Sequence, residues 1–288
     1  MRAFVLSGGA SLGAIQAGML AALYERGIAA DLIVGTSVGA LNGAFIASRP
    51  ATRETAEELG EVWRSLRRSD VFPLNPVAGF LGFLGRGSNL VSGRPLRRLL
   101  ERNSEFERLE EAPVPLHVVA ADMADGREVR LSHGPAHDAV MASAAIPGVF
   151  PPVEWAGRML VDGGVSNNTP ISHALELGAD EVYVLPTGYP CSVQKPARGA
   201  LAMLLHAMTL LVQQRLVREI DLLRDEARMF VLPPPCPLAV QPIDFDHAQD
   251  LIERAQEDAR KFVEDAAEGG VPLSMNVERL RPHEHSGA

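Results

Sequence analysis

Residues Leu32-Ile33-Val34-Gly35-Thr36-Ser37-Val38-Gly39 carry an aliphatic run into a serine set between glycines, and an apolar stretch continues to about Ala47. Few local folds suit such a segment: a short strand, a sharp turn bearing the serine, and a helix leaving the turn. A serine on that turn has its hydroxyl pushed clear of the backbone. A side chain two positions to either side would obstruct the approach, which gives Gly35 and Gly39 a steric reason to be glycine. The helix from Val38 puts the positive end of its dipole at Ser37 and favours an alkoxide or oxyanion there. Ser37 is therefore the candidate nucleophile, with a purely structural strand-to-helix turn as the competing reading.

A second glycine cluster bears on that choice. Ala3 to Ser7 reads as a short apolar strand, and Gly8-Gly9-Ala10-Ser11-Leu12-Gly13 opens a helix whose apolar Ile15, Met19, Ala22 and Leu23 recur at helical spacing. Small residues let backbone approach a ligand, and N–H groups exposed where a loop enters a helix can donate to the charged oxygen of a tetrahedral acyl intermediate. Gly9 and Ala10 are the expected donors, with Gly8, Gly13 and Val38 completing the expected oxyanion and substrate-binding set. Gly8, Ala10 and Gly13 approximate a dinucleotide fingerprint, but the second strand ends in Val34-Gly35-Thr36-Ser37 without the acid a ribose requires. No Gly-Lys-Ser/Thr follows, so a phosphate loop is also excluded.

The third cluster is Arg158 to Asn168, a short apolar strand that delivers Asp162 into Gly163-Gly164. By spacing alone, Asp-Gly is a hairpin or strand-end turn. Beside the other two clusters, Asp162 is suited to take the Ser37 proton directly, with Gly163 and Gly164 leaving room for close approach. A serine–aspartate pair needs no histidine.

In this order the three clusters resemble those of the patatin-like phospholipases, serine acyl hydrolases that work with a Ser-Asp dyad. Gly8 to Gly13 is similar to the family's oxyanion loop, Gly35 to Gly39 to its nucleophile elbow, and Asp162-Gly163-Gly164 to its dyad aspartate motif. Ala142 to Pro152 looks like the family's segment upstream of the aspartate, and Ala121-Asp122 and Ala174 to Asp180 also fit, so the resemblance runs from about Arg2 to Leu185. It implies a three-layer α/β/α fold with a central, mostly parallel sheet. It further implies Ser37 as nucleophile, Asp162 as base, acyl esters of lipids as substrates, an acyl-serine intermediate and no cofactor. Two departures stand in the loop, where the family usually has a third glycine and then a basic residue and this chain has Ala10 and Leu12. Alanine keeps its N–H, though a Cβ at positive φ costs about 1 kcal/mol or more. Leu12 removes a cation near the oxyanion. A less polar substrate, a slower enzyme and a changed helix contact are all open, as are an acyl-lipid-binding or regulatory role and acyl transfer to an alcohol other than water.

The 288 residues, 47% hydrophobic, suffice for one large core; a single domain is expected over 1–281, with a disordered tail from Pro282. A formal net charge of −9 argues against nucleic acid and against electrostatic attraction to an anionic bilayer, so any transient membrane-surface contact must be apolar. Cys191 and Cys236 make no disulfide framework and the chain enters a strand at once, which makes a reducing cytoplasm the default expectation. His133, His137 and His173 are the alternatives to a dyad. Against them, Ser37 follows only the second strand, unlike the serine of a Ser-acid-His α/β-hydrolase. His283 and His285 fall in the polar tail, and no metal-ligand spacing occurs.

An amphipathic helix is expected from about Glu54 to Arg67. The stretch Val71 to Gly85, apolar but broken by proline and glycine, reads equally as a flap or acyl-chain wall over the site and as a packed crossover. Ala200 to Val212 continues helically toward Arg228 and falls short of the roughly twenty apolar residues a bilayer needs. It is expected as a buried core helix, with an acyl-tunnel wall or dimer face as alternatives. Strands are expected at Leu116–Ala121, Glu128–Leu131, Glu181–Leu185 and Met229–Leu232, and helices at Pro95–Arg102, His137–Ser143, Ile171–Leu177 and His247–Glu268.

Overall fold

Short aliphatic runs with both faces apolar can only be satisfied between two layers of helix, and the chain folds accordingly. The computed structural model describes residues 1–73, 90–188, 200–238 and 240–269. The strands are β1 (Arg2–Leu6), β2 (Leu32–Thr36), β3 (Leu116–Asp122), β4 (Glu128–Leu131), β5 (Val153–Trp155), β6 (Arg158–Asp162), β7 (Glu181–Leu185) and β8 (Arg228–Val231). They form one sheet in the order β5-β6-β3-β2-β1-β7-β8, with β4 also paired to β3. The run from β3 to β8 is parallel, while β4 and β6 lie antiparallel to β3 and β5 antiparallel to β6.

The helices are α1 (Ala14–Glu25), α2 (Val38–Ala47), α3 (Arg53–Ser65), the single turn α4 (Arg68–Val71), α5 (Arg94–Asn103), α6 (Ala136–Ser143), α7 (Ile171–Glu176), α8 (Ala200–Leu223) and α9 (Ala248–Gly269). Alternation along the strands feeds two cores. Phe4, Leu6, Ile33, Leu116, Val118 and Leu185 pack with α1, α2, α3 and α9, whereas Ala3, Val5, Val34, Val119, Val182 and Val184 pack with α7 and α8. The result is the expected three-layer α/β/α arrangement with a mostly parallel sheet.

Several local expectations change in the folded chain. α1 is buried on every side from Ala14 to Tyr24, because α9 and α3 cover the side the sheet leaves open. α8 buries Leu216 and Ile220 against the sheet but exposes Met203 and Leu211, at 61% and 67%, so it is not the all-round core helix expected. The hairpin strand β5 carries no strong sequence signal, since it has three residues and turns back through Ala156 and Gly157, both at positive φ, instead of an Asn-Gly or Asp-Gly pair. Cys236 is disulfide-bonded, contrary to the expectation that the cysteines make no disulfide framework. That removes the argument for a reducing compartment. Cys191, residues 74–85 of the expected flap, the tail from Pro282, His283 and His285 lie outside the described residues. No described helix is long and apolar enough to cross a membrane.

Candidate active site

Ser37 follows β2 as the residue that caps α2, with φ 55° and ψ −123°, a conformation costly for any residue with a Cβ. Three hydrogen bonds hold it there. Its N–H donates to Ser143 Oγ at 2.8 Å, and its carbonyl accepts from the N–H groups of Ala40 and Leu41 at 2.9 and 3.2 Å. Ser143 Oγ in turn donates to the Val119 carbonyl at 2.5 Å, tying the elbow to β3. The flanking glycines are required by backbone crowding, not by access to the hydroxyl. A Cβ on Gly35 would sit 2.6 Å from the Gly39 carbonyl oxygen, and one on Gly39 would strike the Leu6 carbonyl of β1.

Asp162 ends β6, opposite Ala120 of β3, and its N–H donates to the Ala145 carbonyl at 2.9 Å. The Ser37 hydroxyl donates to Asp162 Oδ2 at 2.6 Å, and the Gly164 N–H donates to Oδ1 at 2.8 Å. Gly163 lets the turn lie on β3, since a Cβ there would meet the Val119 carbonyl. Burial pushes the Asp162 carboxyl up to about 6, and the bonds from Ser37 and Gly164 offset only part of that rise. The group is thus a carboxylate above about pH 6, with the serine hydroxyl within hydrogen-bond reach.

Among the described residues no histidine hydrogen-bonds Ser37 or Asp162. His173 is held instead between Glu128, at 2.9 Å, and Glu176, at 3.3 Å. His133 is exposed and His137 lies on α6.

The loop Gly8 to Gly13 lies beside the serine: a Cβ on Gly8 would come within 3.0 Å of Ser37 Cβ. Its N–H groups are not equivalent. Gly8 donates to the Asn168 carbonyl at 3.1 Å, Ser11 to the Pro242 carbonyl at 2.9 Å and Leu12 to the Gly9 carbonyl at 3.1 Å. Those of Gly9, Ala10 and Val38 have no acceptor among the described residues, while that of Gly8 is engaged in holding the loop. Ala10 adopts φ 51°, the left-handed conformation that its Cβ makes costly. Leu12 turns into the core, 9% exposed, with Gly188 nearby, so the departure at this position is a packing contact. Gly13 lies against the side chains of Val38 and Trp63.

From Ser37, Ala10 and Val38 an apolar cavity extends between α2, α3 and α5, along Leu41, Phe45, Leu59, Trp63, Leu96 and Leu100 to Asn103. Ala144, Ile146 and Phe150 wall it from the segment upstream of Asp162, and Val71 and Phe72 add the described start of the expected flap. Residues that sequence reasoning passed over are Ser143, which holds the elbow, and Asn168 and Thr187, whose side chains donate to the Gly8 carbonyl at 3.1 and 2.7 Å. Ser143 and Asn168 lie inside segments already singled out, but nothing in their own spacing marks what they bond. Thr187 carries no sequence signal.

The profile of the patatin-like phospholipases matches residues 4–175. The chain belongs to that family. It is 29% identical over 192 residues to lysophospholipase nte1 of Aspergillus terreus, an alignment covering 64% of this chain and 12% of that protein. It is 30% identical over 194 residues to patatin-like phospholipase domain-containing protein 7 of Mus musculus, covering 65% of this chain and 13% of that protein. An uncharacterized NTE family protein of Mycobacterium bovis is 31% identical over 179 residues, covering 62% of this chain and 46% of its own length. The aligned region thus spans about an eighth of the first two relatives and just under half of the third.

Proposed function

We propose that this protein is a serine acyl hydrolase acting on acyl lipids through a Ser37-Asp162 dyad. The observation that carries the reading is the 2.6 Å hydrogen bond from Ser37 to Asp162 at the head of an apolar cavity. Ser37 Oγ attacks the ester carbonyl carbon as its proton passes to Asp162 Oδ2, and the carbonyl electrons move onto an oxyanion received by the N–H groups of Gly9, Ala10 and Val38. Collapse expels the alcohol, which takes the proton from Asp162, and leaves the acyl group on Ser37. A water then gives its proton to Asp162 and attacks the ester carbonyl, and the second collapse returns the proton to Ser37 and releases the carboxylic acid.

The cavity suits one hydrocarbon chain. Its lining follows α2 from Ser37 to Phe45, about 12 Å at the helical rise of 1.5 Å per residue, the extended length of an acyl chain of roughly eight to ten carbons. Phe45 ends this run along α2, its ring stacked under the Arg49 guanidinium at 3.9 Å, and Arg49 also donates to the Asn103 carbonyl at 2.9 Å. Single-chain esters therefore fit, in keeping with the name lysophospholipase carried by the Aspergillus relative. Stopped-flow mixing with p-nitrophenyl esters of increasing length is expected to show an acyl-enzyme burst that is largest near ten carbons. A burst that is flat with length would reject the cavity as the acyl site.

A second reading, an acyl-lipid binder with a disabled loop, is favoured only by the strained Ala10 and the lost basic residue at Leu12. It predicts no burst in the wild type with any activated ester, restored by combining Ala10→Gly with Leu12→Arg. If the loop is active as it stands, Ala10→Gly is expected to change turnover by no more than about tenfold, because the N–H is kept and only about 1 kcal/mol of backbone strain changes.

A further inference from the structure

The two ends of the oxyanion loop are held by a pair of buried side-chain amides that the chemistry above does not use. Gln16 on α1 and Asn42 on α2 are 0% and 2% exposed. Gln16 Nε2 donates to the carbonyl of Ser7, the residue before the loop, at 3.0 Å, and to the Leu185 carbonyl of β7 at 2.9 Å. Asn42 Nδ2 donates to the carbonyl of Gly13, the last residue of the loop, at 3.0 Å, and to Gln16 Oε1 at 2.8 Å. Asn42 Oδ1 accepts from Trp63 Nε1 at 3.1 Å. Both amide N–H groups of each residue are therefore used, and each amide oxygen has a donor.

From this we infer that Gln16 and Asn42 are positioning residues for the oxyanion loop, and that Trp63 links them to the acyl-chain cavity. The inference rests on the hydrolase reading and extends it. The loop between Ser7 and Gly13 contains Ala10 at φ 51°, which gives it a local incentive to relax, and only two N–H groups of the loop, those of Gly9 and Ala10, are left to face substrate. Their aim depends on where the loop's ends are. Those ends sit on different elements, the end of β1 and the start of α1, and the joined amides brace them against each other and against α2, which carries Ser37 at its head. Buried amides without water to exchange with hold such spacing tightly, because breaking one bond strands a polar atom in the core. Asn42 and Trp63 also wall the cavity, so an acyl chain lying along Trp63 presses on the same brace that sets the donors. The arrangement assigns part of the benefit of a fitting chain to turnover as well as to binding.

The test is steady-state kinetics with p-nitrophenyl decanoate and p-nitrophenyl acetate, together with affinity for a decyl trifluoromethyl ketone, whose adduct with Ser37 presents the oxyanion. Gln16→Met and Asn42→Leu keep side chains of similar length and remove the donors. Each is expected to lower kcat by about 10- to 100-fold, short of the 10²–10³ cost of deleting an oxyanion donor outright, with KM within threefold. Ketone affinity should fall by the same factor as kcat/KM, and the double variant should cost little more than the worse single one, because the amides act as a unit. Trp63→Phe keeps an aromatic ring in the wall and loses the indole N–H together with part of the ring system. It is expected to lower kcat for the decanoate several-fold and to leave the acetate within twofold. Should Asn42→Leu not fold, Gln16→Met and Trp63→Phe decide the matter. Folded variants with wild-type kcat and lowered thermal stability, or with the loss confined to KM, would make the amides merely structural and overturn the inference while leaving the hydrolase reading intact. A wild type without any acyl-enzyme burst would overturn the hydrolase reading and this inference with it.

Discussion

Ser37→Ala is expected to abolish labelling by a fluorophosphonate and to lower ester turnover by at least about 10³-fold, with circular dichroism unchanged. The size of the effect follows from the geometry. Ser37 is the only hydroxyl bonded to Asp162 among the described residues, and it stands at the head of the apolar cavity, beside the N–H groups without partners. Alanine removes one oxygen and leaves Ser143, Ala40 and Leu41 bonded to the backbone of residue 37, so the elbow keeps its shape. Alanine must still adopt φ near 55°, as serine does, so the substitution adds no new strain. Labelling that persists on another serine would remove Ser37 from the mechanism.

Asp162→Asn is expected to reduce kcat by at least about two orders of magnitude and, at the same time, to stabilise the protein at neutral pH. Asparagine keeps the shape and the acceptor for the Gly164 N–H but cannot take the serine proton. In the wild type kcat/KM should rise with pH through about 6 as the buried carboxyl ionises, and that limb should vanish in the variant. The stability change runs the other way. The native carboxyl titrates near 6 against 3.8 for the ordinary group, so between those values the unfolded chain releases a proton that the native state retains, and native stability falls as pH rises. Above pH 6 the full penalty, up to about 3 kcal/mol, is present, and below pH 3.8 it is gone. Thermal melts at pH 8 and pH 4 check this: the variant should melt above the wild type at pH 8, and the gap should close at pH 4. A variant less stable than the wild type at pH 8 would show that Asp162 is a stabilising carboxylate and not a strained base. Retention of turnover in Asp162→Asn with loss in His133→Ala, His137→Ala or His173→Ala would replace the dyad by a triad.

Much of this fold could be read without coordinates, for a local reason. Strand β4 and strand β7 fall where their alternating and aliphatic runs place them, and α2 begins at Val38 because a turn bounded by Gly35 and Gly39 leaves the chain little other choice. The glycine loop, the elbow and the Asp-Gly-Gly turn are each defined by neighbours within a few residues, and for that reason their residue types alone point to the chemistry. The left-handed conformation of Ala10 was signalled by the family resemblance, which puts a glycine at that position.

What the tertiary structure decided involves partners far apart in the chain. Ser37 meets Asp162 across 125 positions and Ser143 across 106, and no spacing rule links a serine at the end of α6 to the N–H of an elbow residue. Gly39 is glycine because the Leu6 carbonyl of β1 lies against it, and the Gly8 N–H is taken by the Asn168 carbonyl. Leu12 could have lined the site or the core, and the packing around Gly188 settled it in the core. The same holds for the exposed side of α8 and the buried circumference of α1: amphipathic patterning reports how apolar each face is, whereas burial depends on which layer arrives to cover it. The sequence by itself determined the local turns and the chemical groups they carry. Only the folding of the two helical layers onto the sheet decided which of those groups meet, because long-range contacts depend on the packing of the whole core and short-range backbone geometry does not.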